Sequence, residues 1–485
     1  MLFNSIQFAL FLPIVFLLYW FVFDRFISKS EYQLRLQNAF VVVASYVFYG
    51  WWDWRFLLLI AFTSFCSWGS GLLIGKAGTK KEAKTWTTLN IVLNLGILAI
   101  FKYYDFFVTE FVQLFHISTD GLLLKVILPV GISFYTFQAL SYSIDVYRGK
   151  IEPTKDIVAF FAFISFFPQL VAGPIERATN LLPQFLRKRE FNYDTAVDGM
   201  RQILWGLFKK IVVADNCAIY VDQVFSTYTY QSGSSLLLGA IFFTFQIYGD
   251  FSGYSDIAIG TAKLFGIRLM RNFNVPYFSR DIAEFWRRWH ISLTTWFRDY
   301  VYIPLGGSRV SKAKVIRNTF VIFLLSGFWH GANWTFIAWG AYHAVLFLPL
   351  ILTGKNRKYT NQIAEGRVLP TIKEVGQMLL TFILVVIGWI IFRSSGMPSL
   401  LHYLQRMCQL ETLRASYWFF TMPGMWPTNL FIIVMLVMEW LQRGMAHGLS
   451  IENYNKVLRW MLYSGIVLLI VFKGGYPVPF VYFQF

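Results

Sequence analysis

Apolar residues fall along this chain in long blocks, each about as long as the 17 to 25 residues a helix needs to cross the hydrocarbon core of a bilayer. The first block runs to Phe23 and opens Met1-Leu2-Phe3-Asn4, with no basic leader region and no small-residue cleavage site, so it predicts a retained first span. Residues 24–37 carry Arg25, Lys29 and Arg35, the second and third blocks are parted only by Trp51-Trp52-Asp53-Trp54-Arg55, and residues 76–84 are basic again. Residues 105–124 hold no Lys or Arg, whereas 148–155 are basic. Lys and Arg are enriched in cytoplasmic loops, so this alternation predicts an outer N-terminus, inner loops at 76–84 and 148–155, and an outer end at 481–485.

The block at 157–171 breaks that alternation. Basic loops flank it on both sides, the second being Arg187-Lys188-Arg189, which predicts a re-entrant or broken helix. Such backbone is tolerated at membrane depth only when it is packed in protein. Further spans are expected near 318–352, 375–392, 429–441 and 460–472. The pattern predicts an all-α, polytopic integral membrane protein with about ten to thirteen transmembrane or re-entrant helices. It forms a single membrane domain over 1–485: N-terminal spans at 1–150, a motif-bearing core at 151–352 and C-terminal spans at 353–485. No soluble domain, low-complexity segment or internal repeat interrupts it.

Composition strengthens this picture. Apolar residues make up 56% of the 485 and charged ones 14%, with a mean hydropathy of +0.51, too apolar a balance for a domain surrounded by water. The 51 Phe, 26 Tyr and 18 Trp fit rings at both lipid interfaces and along internal cavities. Cys66, Cys217 and Cys408 stand singly in apolar stretches, without the paired spacing of a disulfide framework or a zinc site, and are expected to be passive. No metal is expected.

The net charge of +17 is concentrated. Residues 263–317 hold eleven Lys and Arg against Asp281, Glu284 and Asp299, an excess of eight that should face the cytoplasm. A positive rim would concentrate an anionic donor at an entrance; the plainer reading is that it sets topology and holds anionic lipid. No nucleic-acid partner is expected.

Familiar catalytic patterns are absent: no GxSxG, HExxH, P-loop or GxGxxG occurs. The chemistry must be sought where polar groups meet aromatics at membrane depth. Residues 281–290 contain Trp286, Arg287, Arg288, Trp289 and His290, and residues 325–334 contain Trp329, His330, Asn333 and Trp334. His330 lies between Gly327 and Gly331 in an otherwise apolar run, where a helix should break and expose backbone. An ionisable residue within a span is a functional candidate; the plainer alternative is a neutral imidazole bonded to a backbone carbonyl. For His290 the alternative is an interfacial side chain bracing a tryptophan. His343, 13 residues beyond His330, would stand roughly 20 Å away on a continuous helix and is expected to serve packing. His116, His402 and His447 fall in loops or span ends. A third segment, Asp250-Phe-Ser-Gly-Tyr-Ser-Asp256, places Asp250, Ser252, Tyr254 and Ser255 between membrane-like flanks. Its acids need partners there, and Arg287, Arg288 or Arg298 are the expected ones.

The order of these segments carries a resemblance. DFSGYSD, FWRRWHISLTTWFRDYVYIPLGG and SGFWHGANWTFIAWGAYHA, preceded by FPQLVAGPIER and followed by Phe480-Val-Tyr-Phe-Gln-Phe485, resemble the membrane-bound O-acyltransferases over nearly the whole chain. Within that family the bacterial alginate O-acetylation branch is most similar, and the D-alanine transfer proteins of teichoic acid less so. The resemblance implies a central tunnel in which the family histidine of the WHG motif, here His330, meets donor and acceptor from opposite faces. His290 matches the family's second polar position, which is Asn or Asp in many eukaryotic members. Asp250, Ser252, Tyr254, Ser255, Trp286, Arg287, Arg288, Trp289, Arg298, Trp329, Asn333 and Trp334 are the residues expected to line substrate or tunnel.

An imidazole can serve as general base on an acceptor hydroxyl or carry the acyl group as a nucleophile, and both roles stay open for His330. The first reading is an acetyl transfer protein of the bacterial cytoplasmic (inner) membrane. It would use acetyl-CoA as donor substrate, hold no permanently bound cofactor, and supply an extracytoplasmic acetyltransferase that acts on a polysaccharide. The second is a D-alanyl transferase fed by an acyl carrier protein bearing phosphopantetheine. The third is a transporter without covalent chemistry, which the missing inverted repeat disfavours.

Overall fold

The computed structural model describes residues 1–23, 32–118, 121–171, 173–409, 424–476 and 478–481. Parts of the first basic loop, 24–31, and of the C-terminal end, 482–485, lie outside the described residues. Among the described residues the regular structure is all helical. Five helices are long and apolar enough to cross a bilayer: Arg55–Lys76, Lys80–Lys102, Gly233–Leu264, Trp334–Leu352 and Ile372–Arg393. Two shorter apolar helices, Ile6–Val22 and Met425–Leu441, have similar character. The chain forms two compact units, residues 1–200 with 258–270 and residues 201–257 with 271–485.

In the first unit, polar side chains on neighbouring helices satisfy one another. The helices Arg55–Lys76, Lys80–Lys102 and Ile132–Tyr147 are joined by Asn90, whose Nδ2 donates to Ser143 Oγ at 2.6 Å and whose Oδ1 accepts from Ser67 Oγ at 3.1 Å. Small hydroxyls and amides of this kind let membrane helices approach closely and bond across the gap. Thr79 starts its helix by accepting from Glu82 N at 3.2 Å.

The segment expected to be re-entrant is broken, as its flanks suggested. Helix Ile157–Ser165 ends, and a single turn, Phe167–Leu170, follows after Phe166, whose backbone at φ −49°, ψ 107° is not helical. Protein satisfies the break: Phe167 N donates to Ser45 Oγ at 3.1 Å, and Gln169 Nε2 donates to Phe163 O at 2.9 Å. Two loop expectations change. Residues 105–115 of the stretch read as an outer loop for want of basic residues belong to the helix Tyr104–Phe115, and helix Gln33–Gly50 begins inside the first basic loop. Charge patterning reports sidedness, not secondary structure, so it left the first helix unseen and set the start of the second, which is the expected second block, too late.

In the second unit, the block near 318–352 is a pair of antiparallel helices, Lys312–His330 and Trp334–Leu352. Glycines set their separation. A Cβ on Gly327 would land on the Phe336 carbonyl, and one on Gly340 would land on the Phe323 carbonyl. Asn333 starts the returning helix, its Oδ1 accepting from Thr335 N at 3.0 Å.

Candidate functional site

His330 is the last residue of its helix, and Gly331 leaves in extended conformation. A side chain at 331 would collide with the Phe336 ring, so the break lets the chain turn tightly where the imidazole is presented. His330 is buried, with Trp329, Trp339 and Phe392 at ring-centroid distances of 4.9, 5.1 and 5.3 Å.

His290 joins two short helices, Ile282–Arg288 and Ile291–Phe297, in a left-handed backbone conformation at φ 44°, ψ 53°. Its ring is also buried, edge-on to Phe251 at 4.7 Å and 6.1 Å from Trp329. Trp329 therefore contacts both imidazoles, and their centres are at most about 11 Å apart.

A residue that sequence reasoning missed orients His290. Asn272 Oδ1 lies 3.1 Å from His290 Nδ1 and accepts from Ser292 N at 3.4 Å and Ser292 Oγ at 2.8 Å. The Ser292 backbone N–H can only donate, so the atom facing it must be the amide oxygen. That orientation is supported on the other side, where Asn272 Nδ2 donates to Ser255 Oγ at 3.1 Å. Nδ1 must then carry the hydrogen, which leaves the lone pair on Nε2. That Nε2 is buried and has no hydrogen-bond partner among the described residues. Nothing in the spacing of Arg271-Asn-Phe-Asn274 marked this amide; only the 18-residue return of the chain brings it to His290.

The other expected site residues divide into three groups. Trp286, Trp289, Trp329 and His330 share one aromatic cluster with Trp339 and Trp389: Trp286 lies 5.5 Å from Trp339, and Trp289 lies 4.8 Å from Trp389. His343 joins the same cluster, 5.1 Å from Trp339 and with Nδ1 accepting from Trp286 Nε1 at 3.3 Å. The 20 Å separation expected from a continuous helix does not apply, because the chain reverses at 331–333 and puts both histidines against Trp339.

Arg287, Arg288 and Arg298 form the second group, and the pairing expected of them is corrected. Arg288 binds Glu284 at 2.8 Å, Arg287 donates to the carbonyls of Asn356 and Tyr359 at 2.8 and 2.7 Å, and exposed Arg298 pairs with its neighbour Asp299 at 2.7 Å. Asp250 and Asp256 pair instead with Lys210 and Lys209, at 2.7 and 2.6 Å. The lysines reach them because glycine allows close approach of the backbones: a Cβ on Gly253 would lie 2.8 Å from Gly206 O, and one on Gly249 would lie 2.9 Å from Lys209 O. Arg280 also binds Glu284, at 2.9 Å, and the segment's excess of eight is lowered as a free field by Lys263, which pairs with Asp198 outside the segment at 2.6 Å. Arg309, Lys312, Lys314 and Arg317 remain exposed.

In the third group, Ser252 and Tyr254 are buried on the Gly233–Leu264 helix, and Ser255 holds Asn272. Asn333 Nδ2 donates to Ser395 O at 2.9 Å, and Trp334 is half exposed. No group of three or more His, Cys, Asp or Glu suited to a metal ion occurs among the described residues. Cys217 is buried and Cys408 exposed, with no disulfide.

Comparison with known proteins agrees with these features. Residues 153–362, which hold both histidines and Asn272, match the model of the MBOAT, membrane-bound O-acyltransferase family. The chain is 42% identical to the probable alginate O-acetylase AlgI of Pseudomonas aeruginosa, over 86% of this chain and 76% of that protein. It is 35% identical to the peptidoglycan O-acetyltransferase of Helicobacter pylori, over 85% and 80% respectively. With the teichoic acid D-alanyltransferase of Bacillus subtilis, identity is 30% over 56% of this chain and 69% of the relative. A polytopic helical chain that buries two histidines against one tryptophan, and matches these relatives over most of its length, belongs to the membrane-bound O-acyltransferase family.

Proposed function

We propose that the chain transfers an acetyl group from acetyl-CoA on the cytoplasmic side of the bacterial inner membrane, through a passage lined by the aromatic cluster, to a hydroxyl acceptor on the outer side. The acceptor route leads to an extracytoplasmic acetyltransferase partner and from there to O-acetylation of a polysaccharide. Support for the acetyl group and the polysaccharide comes from relatives matched over 86% and 85% of this chain, an O-acetylase and an O-acetyltransferase. The D-alanyl relative covers less of the chain.

One observation carries the catalytic assignment: two buried imidazoles face the same tryptophan, and one of them is oriented so that its Nε2 lone pair has no partner among the described residues. In this reading His330 takes the proton of the acceptor hydroxyl as its oxygen attacks the thioester carbonyl. The carbon–sulfur bond breaks, and the departing thiolate recovers the proton from the imidazolium. His290 accepts a hydrogen bond at Nε2 and keeps the hydroxyl or its proton aligned. The buried aromatic walls exclude water, so the thioester is not lost to hydrolysis.

The test is thiol release and acetyl transfer from labelled acetyl-CoA by purified protein in nanodiscs. His330→Ala should lower transfer by at least about a hundredfold, within the range of general acid–base effects, while insertion and monodispersity are kept. Transfer at the parental rate by a properly inserted His330→Ala protein would remove His330 from the mechanism. Transfer from a D-alanyl carrier protein but not from acetyl-CoA would replace the donor.

A further inference from the structure

The Lys210 ammonium is buried between two carboxylates, Asp215 Oδ1 and Asp250 Oδ1, each at 2.7 Å. Removing three charges from water is costly, and buried ion pairs seldom repay that cost in stability alone. The arrangement has a further occupant. The third donor of the ammonium goes to Val478 O at 2.9 Å, and the second oxygen of Asp250 accepts from Val481 N at 2.6 Å. Every remaining strong valence of the Lys210–Asp250 pair is spent on the backbone of the last described residues.

Other contacts lead the chain into this position. Lys210 belongs to a π-helical stretch, Phe208–Ala214, whose wider turn leaves the Ile211 carbonyl able to accept from Gly475 N at 3.1 Å. Asn216 Nδ2 donates to Lys473 O at 2.9 Å, and a Cβ on Gly475 would lie 2.6 Å from the Asp215 carbonyl carbon. Between the two anchored residues, Phe480 is fully buried, with its ring 4.7 Å from Tyr254 and 5.6 Å from Phe251. Phe251 is the ring that meets His290 edge-on at 4.7 Å.

We infer that the buried Lys210–Asp215–Asp250 triad is the seat of the C-terminal segment, and that by holding Val478 and Val481 it keeps Phe480 in the wall behind His290. Lys210, Asp215 and Asp250 are thus positioning residues. Recognition runs through main-chain groups at 478 and 481, and Phe480 is the side chain whose placement matters. The adjacent Lys209 supplies an internal control, since its ion pairs are with Asp256 at 2.6 Å and Glu439 at 3.9 Å, away from the tail.

Hydrogen–deuterium exchange of the full-length protein in nanodiscs, read by mass spectrometry on C-terminal peptides, tests the seat without any assay of activity. Lys210→Met and Asp250→Ala should each speed exchange at the Val481 amide by about tenfold or more, the effect of losing a local protecting contact, and Lys209→Met should not. Unchanged exchange in a folded Lys210→Met protein, or equal acceleration in Lys209→Met, would overturn the seat. The link to His290 rests on the catalytic reading above and is measured separately: Phe480→Ala should reduce kcat for acetyl transfer by about tenfold with little change in donor KM. Should Lys210→Met fail to insert, Val481→Pro removes the N–H that Asp250 binds and leaves the triad intact, and it should show the same loss of kcat. Parental kcat in both tail variants would refute the positioning role, even where the exchange data establish the seat.

Discussion

Replacing Asn272 with Leu should reverse the tautomer of His290, and the structure allows the size of that effect to be estimated. In the parent, Asn272 Oδ1 holds the hydrogen on Nδ1, while Ser292 Oγ gives its own hydrogen to the same oxygen at 2.8 Å and stands 3.4 Å from Nδ1. With the amide gone, the serine hydroxyl is free to turn and donate to Nδ1, which moves the imidazole hydrogen to Nε2 and removes the lone pair there. Losing one hydrogen bond that favours the working tautomer and gaining one that favours the other, at roughly 1 to 1.5 kcal/mol each, shifts the balance by about 2 to 3 kcal/mol. That corresponds to a fall in kcat of roughly 30- to 150-fold, with donor KM little changed. Asn272→Asp keeps an acceptor at the same place and should retain much more activity. In the double variant Asn272→Leu/Ser292→Ala the competing donor is absent, so part of the loss should be recovered. Thiol release from acetyl-CoA in nanodiscs measures all three. Parental kcat in inserted Asn272→Leu protein, or a double variant no better than the single one, would refute the tautomer argument.

Three further outcomes are expected. His290→Ala should lower transfer by about tenfold or more, whereas His290→Asn retains a group that can bond and should be milder; equal kcat values would reduce His290 to packing. Gly327→Ala places a methyl on the Phe336 carbonyl and should cost about 1 to 3 kcal/mol by overpacking, seen as a lower Tm; an unchanged Tm would mean that the helix pair can separate freely. Replacing exposed Arg309, Lys312 and Lys314 together by Gln should raise donor KM and flatten its salt dependence, since screening acts beyond roughly 8 Å at physiological ionic strength; salt-independent KM in both proteins would leave these charges with topology and lipid contact.

The sequence made the membrane character plain, because block length and composition report the solvent directly. It also located the break at His330, since two glycines around one histidine in an apolar run have few other uses. What it concealed follows from distance along the chain. Asn272 is an ordinary polar residue until the backbone returns it to His290, and Lys209-Lys210 became partners of Asp256 and Asp250 only through the glycine contacts at 206, 249 and 253. The motif arginines, closer in pattern to what a membrane acid needs, were already committed to Glu284 and to loop carbonyls. The resemblance singled out two histidines that the fold buries against one tryptophan, without showing how either is held.

The left-handed backbone at His290 bears on how this position can change through descent. At φ 44°, ψ 53° an ordinary L-residue is disfavoured by about 1 to 2 kcal/mol, and β-branched residues fare worst. Asn, Asp and His are the side-chain-bearing residues that enter this region most readily. A mutation at codon 290 is therefore sieved by the main chain before any chemistry is tried, and only residues that pass are available to selection for transfer. The polar residues that pass are the same three that the family resemblance assigns to this position. The turn between two short helices thus biases position 290 toward imidazole, carboxamide and carboxylate side chains before the chemistry of transfer is tested.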